Sequence, residues 1–560
     1  MKENLKIPIL TLIKNKSLSK TVLKHHKGRA MDIDRRDFIK YGVLGVSAAA
    51  LLGPQASLSA RESTRKDDFE YGGHMKPSGK EAYIADHALS WWVNKFQLPL
   101  HIYFAPVVAQ NVRAFKQVFQ DLYPRGLIRF AAKACAHPAV FRTVIREGAG
   151  IDVASYYETR CALESGAPPE QLDLNGNCKE DFLISKAVET NMLIVADSIE
   201  EFQTISRIAK QMGRSPRIIM RVSGFDLGQV TAEAVFTAGA WTKFGVDLED
   251  IPHFLKTLGS HPHVRFLGFH THIGSQIADL APYLAVLGKL IELGHLLKET
   301  GRNCEIINIG GGFPLSYVSK EEWDGFMKRV REGYLASQKG DTSRIFIWHN
   351  RTGGFETGPD GRIDTSHWND EKFYSPYPKE KMVEAILKGR VRVYGKDTGT
   401  VEALKALGEP ALVIEPGRAV VGDAAVTMAR VSQVRKTGRW HNLMTLEIGV
   451  TSFGEGLVYM PVNRWEIIND QDRKDPEPFE AFVGGNLCFS GDMLAKYKIS
   501  LQRKPVRGDI VLIRDTGSYG PQFFASNANA FPRPARVFVE ADGRLTVMKK
   551  RDTYEDIFSL

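Results

Sequence analysis

One short stretch, Ile128-Arg129-Phe130-Ala131-Ala132-Lys133-Ala134-Cys135, decides how the rest of this chain is arranged. A mostly apolar run with a lysine near its end indicates a buried strand whose last residues carry an amine to the rim of a core. Lys133 is therefore our candidate for the catalytic centre. A single lysine is more often a surface residue, so this hypothesis depends on the segments that follow.

Similar apolar runs recur along the chain, and segments of helical length separate them. The eight predicted strands are residues 128–133, 151–154, 172–175, 193–196, 218–222, 266–270, 306–309 and 412–415. Strands that alternate with helices in this way predict an α/β fold, a (β/α)8 barrel of the TIM type. The chemistry of such a barrel lies at the C-terminal ends of its strands.

Residues 340–378 interrupt this alternation, because they are rich in Gly, Asp, Trp and Tyr and have neither helical nor strand periodicity. An irregular insertion of this length is typical of a lid, an interface arm or a disordered loop. The pattern does not distinguish these three interpretations.

The pattern changes again after residue 420, where short β-branched runs are separated by turn residues. These runs, at 426–431, 443–448, 510–513, 536–540 and 545–549, predict a C-terminal all-β domain. We expect an earlier strand at 98–103 to pair with it, ahead of a helix at 108–122. The predicted organisation is an export signal at 1–60, a linker at 61–90, the barrel at 91–425 and the β domain at 426–560.

Most of the net charge of +9 lies at the front of the chain, where residues 1–30 hold eight Lys or Arg against Glu3, a net of +7. Residues 31–60 are balanced, which leaves +2 for everything after them. So small a charge gives no basic surface for nucleic acid. We therefore expect a small-molecule partner and no nucleic acid.

The front of the chain also carries a targeting pattern. Arg35-Arg36-Asp37-Phe38-Ile39-Lys40 precedes an uncharged stretch, 41–60, whose apolar part is too short to span a membrane. This resembles a twin-arginine export signal and predicts a periplasmic protein. Translation could start at Met31, and the alternative is a helix at the N-terminus of a cytoplasmic protein. Five cysteines without CxxC spacing argue against a disulfide framework or a zinc site.

Unusual residues cluster where the predicted strands end. Gly310, Gly311 and Gly312 follow the seventh strand, and successive glycines let backbone N–H groups close around an anion. His272 and Ser275 follow the sixth strand.

Further candidates come from the eighth strand and from the β domain. Glu415 and Arg418 place a carboxylate and a guanidinium at the barrel mouth, while the segments 484–492 and 517–520 lie in the β domain. An aldehyde cofactor with a phosphate needs an amine, a phosphate cradle, a support for its ring and an acid beside the ring nitrogen. Lys133, the glycines, His272 and Glu415 supply these four groups.

Residues 99–538 resemble a known family, the fold-type III pyridoxal-phosphate decarboxylases that act on ornithine, arginine and diaminopimelate. The motifs that carry the resemblance are FAAKA (130–134), GAGIDVAS (148–155), KFG (243–245), HTHIGSQ (270–276), NIGGGFP (308–314), IEPGR (414–418), LCFSGD (487–492) and GSYG (517–520). Among the members of this family, the chain most resembles the diaminopimelate decarboxylases. The resemblance implies an alanine racemase-like barrel, bound pyridoxal 5'-phosphate and a homodimer with shared active sites.

The resemblance also implies roles for individual residues. Lys133 would bond to the cofactor aldehyde, His272 would stack on its ring and Glu415 would hold the proton on the ring nitrogen. The phosphate and its surroundings would be bound by Gly310, Gly311, Gly312, Ser275, Arg418 and Tyr519. Cys488, contributed by the partner subunit, would assist protonation of the substrate, and the substrate itself would meet Arg418, Glu455, Tyr459, Phe489 and Asp492.

Two departures from the family pattern concern the substrate. Phe489 stands where diaminopimelate decarboxylases typically have a glutamate that faces the distal amino group. Glu455 stands near the position of an arginine that meets the distal carboxylate, although Tyr459 is kept. A carboxylate repels a carboxylate, so we expect a substrate with a cationic or apolar distal end, such as ornithine, lysine or arginine.

Three other interpretations remain open from the residues. His270 and His272 point the same way from a strand and could share a metal ion, but this leaves Lys133 and the glycines unexplained. An amino-acid racemase uses the same cofactor on a similar barrel, generally with an arginine at the ring nitrogen. A non-catalytic pyridoxal-phosphate carrier is similar to these enzymes but usually lacks the β domain.

Overall fold

The structure is a computed structural model and describes residues 71, 73–76, 80–227, 237–350, 373–453, 461–520 and 526–558, together with the backbone of 356–357 and 363–364. The proposed export signal lies outside these residues. No helix among them has both the length and the apolar character needed to cross a membrane.

The predicted barrel is confirmed. Its eight parallel strands are Gly126–Ala131, Gly150–Val153, Leu172–Leu174, Leu193–Ala196, Arg217–Ser223, Arg265–His270, Ile306–Asn308 and Ala411–Ile414. Each pairs with the next along the chain, and the eighth closes on the first, with Ile414 opposite Ile128. We number these barrel strands first to eighth in that order.

Helices stand between and around the barrel strands. They are Ala105–Leu122, Pro138–Arg146, Tyr156–Glu164, Asp181–Thr190, Ile199–Met212, Ile251–Thr257, Ala281–Glu299, Lys320–Gln338, Glu380–Lys388 and Thr400–Leu407. Several begin at a serine cap: Ser155 and Ser198 accept the N–H of the residue three positions on, and Ser319 forms a capping box with Glu322. The helix predicted at 108–122 begins earlier than expected, at Ala105, because Pro106 suits the first turn.

The predicted C-terminal β domain is also present. Its strands are Ala425–Thr437, His441–Leu446, Trp465–Ile467, Phe479–Gly484, Met493–Leu501, Ile510–Arg514, Ala535–Val539 and Leu545–Lys549. The expected early strand, Leu100–Phe104, lies between Ala425–Thr437 and Ala535–Val539 in the sheet. The strands Trp465–Ile467, Phe479–Gly484 and Met493–Leu501 were not predicted.

The described part of the predicted linker is folded, which corrects that prediction. Short antiparallel strands at Tyr83–Ile84 and His87–Ala88 lead into the helix Leu89–Phe96. Ile84 and Trp92 are fully buried against the β domain in a core with Leu100 and Val426. Burying a side chain of this size contributes about 1.5–3 kcal/mol, so this segment stabilises the sheet.

The ends of the predicted insertion pack on the β domain. Phe346, Ile347 and Phe373 are buried in one core with residues of the C-terminal sheet and with Trp323 of the helix Lys320–Gln338. Ile347 also forms an isolated bridge with Tyr497. The described ends of this segment therefore join the barrel to the β domain.

Candidate active site

Lys133 lies one residue beyond the strand that was predicted to contain it. The first barrel strand ends at Ala131, and Ala132–Ala134 form a single 3-10 turn. Ala132 and Ala134 are fully buried, while the Lys133 side chain is exposed at the strand end. The turn therefore fixes the backbone of Lys133 and leaves its amine open at the mouth of the barrel.

Glu415 lies directly after the eighth strand and is 4% exposed. Its Oε1 accepts from Asn308 Nδ2 at 2.7 Å and from Asn175 Nδ2 at 3.3 Å, and its Oε2 lies 3.3 Å from His270 Nε2. Burial raises the pKa of Glu415, but His270, Lys133 and Asn308 together bring it below its ordinary value. Glu415 is thus a buried carboxylate that stays ionised and is held from three sides.

The sequence did not predict that Asn175, Asn308 and His270 surround Glu415, although Asn308 and His270 lie inside the quoted motifs and His270 was considered only as part of a metal pair. The chain separates Asn175 from Glu415 by 240 positions. Each of these three polar residues lies at or just after the end of a buried barrel strand, and this position in the sequence could have indicated that they belong to the site. Barrel closure brings those strand ends together.

His272 is fixed by the glycine segment. Its Nδ1 accepts the backbone N–H of Gly311 at 2.9 Å. Burial lowers the pKa of His272 well below its ordinary value, and the positive charges of Lys133 and Arg221 lower it further. A neutral imidazole with Nδ1 as acceptor is a suitable flat support for an aromatic ring at this position.

The three glycines follow the seventh strand in close contact with the neighbouring loops. A Cβ on Gly311 would lie 2.2 Å from the carbonyl oxygen of Glu415, and one on Gly310 would lie 2.5 Å from that of Thr271. Gly310 donates its N–H to Asn308 Oδ1 at 2.8 Å. The N–H groups of Gly310 and Gly311 are thus hydrogen-bonded within the protein, and the absence of a Cβ lets both residues lie close to the neighbouring backbone. Phosphate binding by Gly310, Gly311 and Gly312 stays a prediction.

Arg418 is buried at the start of a helical turn and reaches three hydroxyl groups. It donates to Tyr317 Oη and Ser275 Oγ, both at 2.9 Å, and to Ser518 Oγ at 3.4 Å. Its guanidinium also lies 5.1 Å from the centre of the Tyr519 ring. The predicted residues Ser275, Arg418 and Tyr519 are thus brought together, and Tyr317 and Ser518 join them.

Tyr519 also connects this group to the lysine. Its backbone N–H donates to the carbonyl of Ala134 at 2.9 Å, directly after Lys133. Tyr519 has a φ of +46° and lies between Ser518 and Gly520 in a loop of the β domain. The β domain therefore reaches the barrel mouth at the turn that carries the amine.

Cys488 and Phe489 lie on an exposed turn between the strands Phe479–Gly484 and Met493–Leu501. The N–H of Cys488 donates to Asn529 Oδ1 at 2.9 Å, and the Phe489 side chain is 53% exposed. Within the described chain this turn presents a thiol and an aromatic ring outward, away from the core of its own domain.

Asp492 is buried, and its two carboxylate oxygens each accept a backbone N–H at 2.6 Å, from Val450 and from Leu487. These bonds shape the turn before Cys488, and a contact of Asp492 with substrate stays a prediction. The other two predicted substrate residues, Glu455 and Tyr459, lie outside the described residues.

The residues at the barrel mouth fit a phosphorylated aromatic aldehyde. Two buried polar atoms there, Asp152 Oδ1 and His270 Nδ1, have no hydrogen-bond partner among the described residues. The glycines allow close approach of a ligand. The amine of Lys133 follows the first strand, the neutral imidazole of His272 follows the sixth, and the Glu415 carboxylate and the Arg418 guanidinium both follow the eighth. Asp152 has a raised pKa, caused by burial and then by the charge of Glu415, so the site holds one ionised acid beside a second that tends to keep its proton.

The alternative metal site does not form from these residues. His270 faces Glu415 through Nε2, whereas His272 uses Nδ1 for the N–H of Gly311. Across the described parts of the chain, no group of three or more His, Cys, Asp or Glu side chains is arranged to hold a metal ion.

Comparison with known proteins shows which family the chain resembles. Residues 108–338 match the family model for the pyridoxal-binding domain of the pyridoxal-dependent decarboxylases. Among curated proteins, the diaminopimelate decarboxylase of Bacillus subtilis is 26% identical over 87% of this chain and 95% of its own length. That of Archaeoglobus fulgidus is 27% identical over 82% of this chain and 91% of its own length.

Solved structures share the fold. Diaminopimelate decarboxylase from M. jannaschii, in complex with L-lysine, superposes with a TM-score of 0.68 at 23% identity, covering 87% of this chain and 98% of that one. A lysine/ornithine decarboxylase from Vibrio vulnificus, in complex with putrescine, gives a TM-score of 0.57 at 20% identity, with 81% and 98% covered. These solved structures therefore contain both the barrel and the β domain, in the same overall fold as this chain.

Proposed function

This chain belongs to the pyridoxal-dependent decarboxylases, and from that premise we propose that it removes the α-carboxylate of a free amino acid at the barrel mouth, releasing CO2 and an amine. The observation that carries the proposal is the buried, ionised Glu415 that shares the mouth with Lys133. Pyridoxal 5'-phosphate supplies, when bound, the electron sink that decarboxylation requires.

Glu415 has the central electrostatic task. Its carboxylate would hold a proton on the ring nitrogen of bound pyridoxal 5'-phosphate and so keep the ring positively charged. Asn175 and Asn308 both donate to Oε1 and so fix the orientation of the carboxylate. The lowered pKa of Glu415 favours its ionised form, which is the form this role needs.

Four other residues would hold the cofactor. Lys133 would provide the amine that bonds to the aldehyde, and the 3-10 turn limits where that amine can reach. His272, neutral and hydrogen-bonded to Gly311, would support the ring without adding a positive charge that competes with the protonated nitrogen. Arg418 and Ser275 would provide charge and hydrogen bonds for the phosphate.

We propose that the distal end of the substrate is cationic or apolar. The relatives named above are diaminopimelate decarboxylases, which makes diaminopimelate the reference substrate. Glu455 stands near the position of the arginine that meets the distal carboxylate in diaminopimelate decarboxylases, and a carboxylate there favours a cationic distal group, while Phe489 offers an apolar ring beside Cys488. Lysine and ornithine are the first alternatives to test.

Release of CO2 from a panel of amino acids tests this proposal. The purified protein, loaded with pyridoxal phosphate, is assayed with meso-diaminopimelate, lysine, ornithine and arginine. We expect a higher kcat/KM for one basic amino acid than for meso-diaminopimelate. The Phe489→Glu variant, which restores the glutamate of the diaminopimelate decarboxylases, should reduce the difference between these two kcat/KM values. Equal turnover of all four would contradict the specificity, and racemisation without CO2 release would contradict the reaction.

A homodimer with shared sites is part of the proposal. Cys488 and Phe489 are exposed in the described chain, and the amine of Lys133 is open at the barrel mouth. A second copy of the chain can place its Cys488 turn over that mouth, where the thiol serves as the acid that protonates the substrate carbon.

We also propose export through the twin-arginine route, on the strength of Arg35 and Arg36 before an uncharged segment. This route carries folded proteins, so the cofactor can be bound before transport. Replacement of both arginines by lysine should retain the protein in the cytoplasm of a host with the pathway, and unchanged fractionation would contradict export.

A further inference from the structure

Tyr317 is a residue that neither the motifs nor the proposed chemistry assigned. It lies five residues beyond Gly312 and is 1% exposed. Its hydroxyl oxygen accepts a hydrogen bond from Arg418 at 2.9 Å, as short as the bond from Arg418 to Ser275. A phenol oxygen in this position restrains the guanidinium in a way that a phenyl ring cannot.

The segment that carries Tyr317 is held on one side by the loop of Ser275. Gln276, the next residue, donates to the carbonyl of Leu315 at 2.6 Å and accepts the N–H of Leu315 at 3.0 Å. The segments that carry the two hydroxyl groups holding Arg418, from Ser275 and Tyr317, are therefore joined by the side-chain amide of Gln276 and the backbone of Leu315. Their spacing is set by this pair of bonds and not by Arg418 alone.

The same segment is held on its other side by the returning end of the insertion. Tyr317 donates its N–H to the carbonyl of Phe373 at 2.9 Å, and Ser316 and Ser375 exchange two hydrogen bonds of 3.1 and 2.9 Å. Phe373 is itself buried in the core that the insertion shares with the β domain. The position of the Tyr317 hydroxyl thus depends on that core.

We propose that Tyr317 is a positioning residue that holds the Arg418 guanidinium in the direction needed to bind the cofactor phosphate, and that the end of the insertion at Phe373–Ser375 holds Tyr317. This inference rests on the proposed function, since it needs pyridoxal phosphate as the ligand. It assigns part of the insertion to the site without making it a lid. Tyr317 itself needs no contact with substrate or cofactor for this role.

The test compares the affinity of the apo-protein for pyridoxal phosphate with its affinity for pyridoxal, which lacks the phosphate. Tyr317→Phe keeps the ring and removes the hydroxyl that accepts from Arg418. We expect about tenfold weaker binding of pyridoxal phosphate, as for loss of one hydrogen bond to a charged group, and unchanged binding of pyridoxal. A merely structural role would weaken both ligands by the same factor.

Tyr497→Phe is the matched control. Tyr497 lies in the same buried core, and its hydroxyl donates to the carbonyl of Pro461 at 2.9 Å, so this variant also loses one buried hydrogen bond. It should leave the ratio of the two affinities unchanged. Thermal unfolding of both apo-variants shows whether each is folded.

Ser375→Ala replaces Tyr317→Phe if the latter does not fold. Ser375 Oγ accepts from the N–H of Tyr377 at 3.1 Å and donates to the carbonyl of Ala278 at 3.4 Å, so its loss loosens the support of Tyr317 from a distance. We expect a smaller loss, confined to pyridoxal phosphate.

Two results would overturn the inference: equal effects on both ligands, or no effect on either. If the wild type binds no pyridoxal phosphate, the proposed function fails and this inference with it. If the wild type binds it and the variants do not differ from the wild type, the inference alone fails.

Discussion

At the scale of single residues, the proposed chemistry depends on how Glu415 is held. Three polar side chains surround a carboxylate that is almost fully buried, and two of them are amides that cannot change their charge. Such a carboxylate does not need to reorient as the reaction proceeds. The site can therefore keep the ring nitrogen protonated at neutral pH.

Glu415→Gln tests this arrangement directly. The amide keeps the size of the side chain but cannot hold a proton on the ring nitrogen, so we expect kcat to fall by about 100-fold or more while the cofactor content stays near one per chain. The measurement is single-turnover CO2 release together with the absorbance of the bound cofactor. Glu466→Gln, which alters the pair with Arg514 in the β domain, should keep kcat; an active Glu415→Gln enzyme would contradict the assignment.

The sequence could predict at this scale that Lys133, His272 and Glu415 lie at the mouth of the barrel, because each follows a recognisable apolar run. Their chemical roles stay predictions. Their partners were less accessible. Asn175 and Asn308 are ordinary polar residues until the barrel closes and brings them to one carboxylate. The motif around Asp492 likewise does not reveal that both of its oxygens accept backbone N–H groups.

At the scale of elements, the glycine segment sets the distance between two strand ends. Gly311 lets the segment after the seventh strand lie against the backbone of Glu415 after the eighth. This close approach places His272, the proposed support of the cofactor ring, and Glu415, the proposed acid beside the ring nitrogen, in one site. Any side chain at position 311 would push the segment after the seventh strand away from the backbone of Glu415.

Gly311→Ala should show this separation. The new Cβ would lie 2.2 Å from the Glu415 carbonyl oxygen, so we expect a loss of about 1–3 kcal/mol in the free energy of unfolding and at least tenfold weaker binding of pyridoxal phosphate. Calorimetry and titration of the apo-protein measure both. Gly259→Ala, where a Cβ would meet nothing within 4 Å, is the control; equal effects of the two substitutions would contradict the role of Gly311.

The buried ion pair Arg503–Asp509 is a structural element of the β domain, with a shortest distance of 2.7 Å. Burial raises the pKa of Asp509, but hydrogen bonds from Arg503, the N–H of Val506 and Asn469 bring it below its ordinary value. A carboxylate with a lowered folded pKa stabilises the fold above its unfolded pKa, and this contribution is lost as the pH falls through the folded pKa.

Asp509→Asn should therefore destabilise the protein by about 3 kcal/mol at pH 7, and its difference from the wild type should shrink below about pH 4. Urea unfolding at several pH values measures this. Asp542→Asn, which removes an exposed carboxylate paired with Arg544, should match the wild type throughout. A difference for Asp509→Asn that does not change with pH would contradict the sign of the pKa shift.

The elements themselves were largely predictable, since every barrel strand corresponds to an apolar run and closure follows from their number. The strands on either side of Cys488, Phe479–Gly484 and Met493–Leu501, were not predicted. The turn motif between them, residues 484–492, was recognised, but the alternating residues that flank it were not taken as strands. The folding of 80–90 was missed because a polar, charged composition does not show that Ile84 and Trp92 are buried by residues far along the chain.

At the scale of the whole molecule, the barrel and the β domain each hold part of the proposed chemistry. Lys133 and Glu415 belong to the barrel, whereas Cys488 lies on an outward turn of the β domain. If two copies exchange these parts, each site contains residues of both chains. Activity then depends on assembly as well as on folding.

Mixing two inactive variants tests the exchange. Lys133→Ala and Cys488→Ala each remove one part of the site, but a mixed dimer contains one intact site built from both chains. Unfolding and refolding an equal mixture should restore about a quarter of the wild-type activity, because half of the dimers are mixed and each has one active site of two. Refolding each variant alone is the control, and a mixture no more active than its parents would place both residues in one chain.

The central claim, that Lys133 carries the cofactor, is tested most directly by borohydride reduction of protein produced with ample pyridoxal phosphate, followed by mass spectrometry of its peptides. We predict one reduced pyridoxyl group per chain, on Lys133, with the same result in Lys243→Ala and none in Lys133→Ala. A colourless protein with no modified peptide, or a modification that persists in Lys133→Ala, would contradict the account.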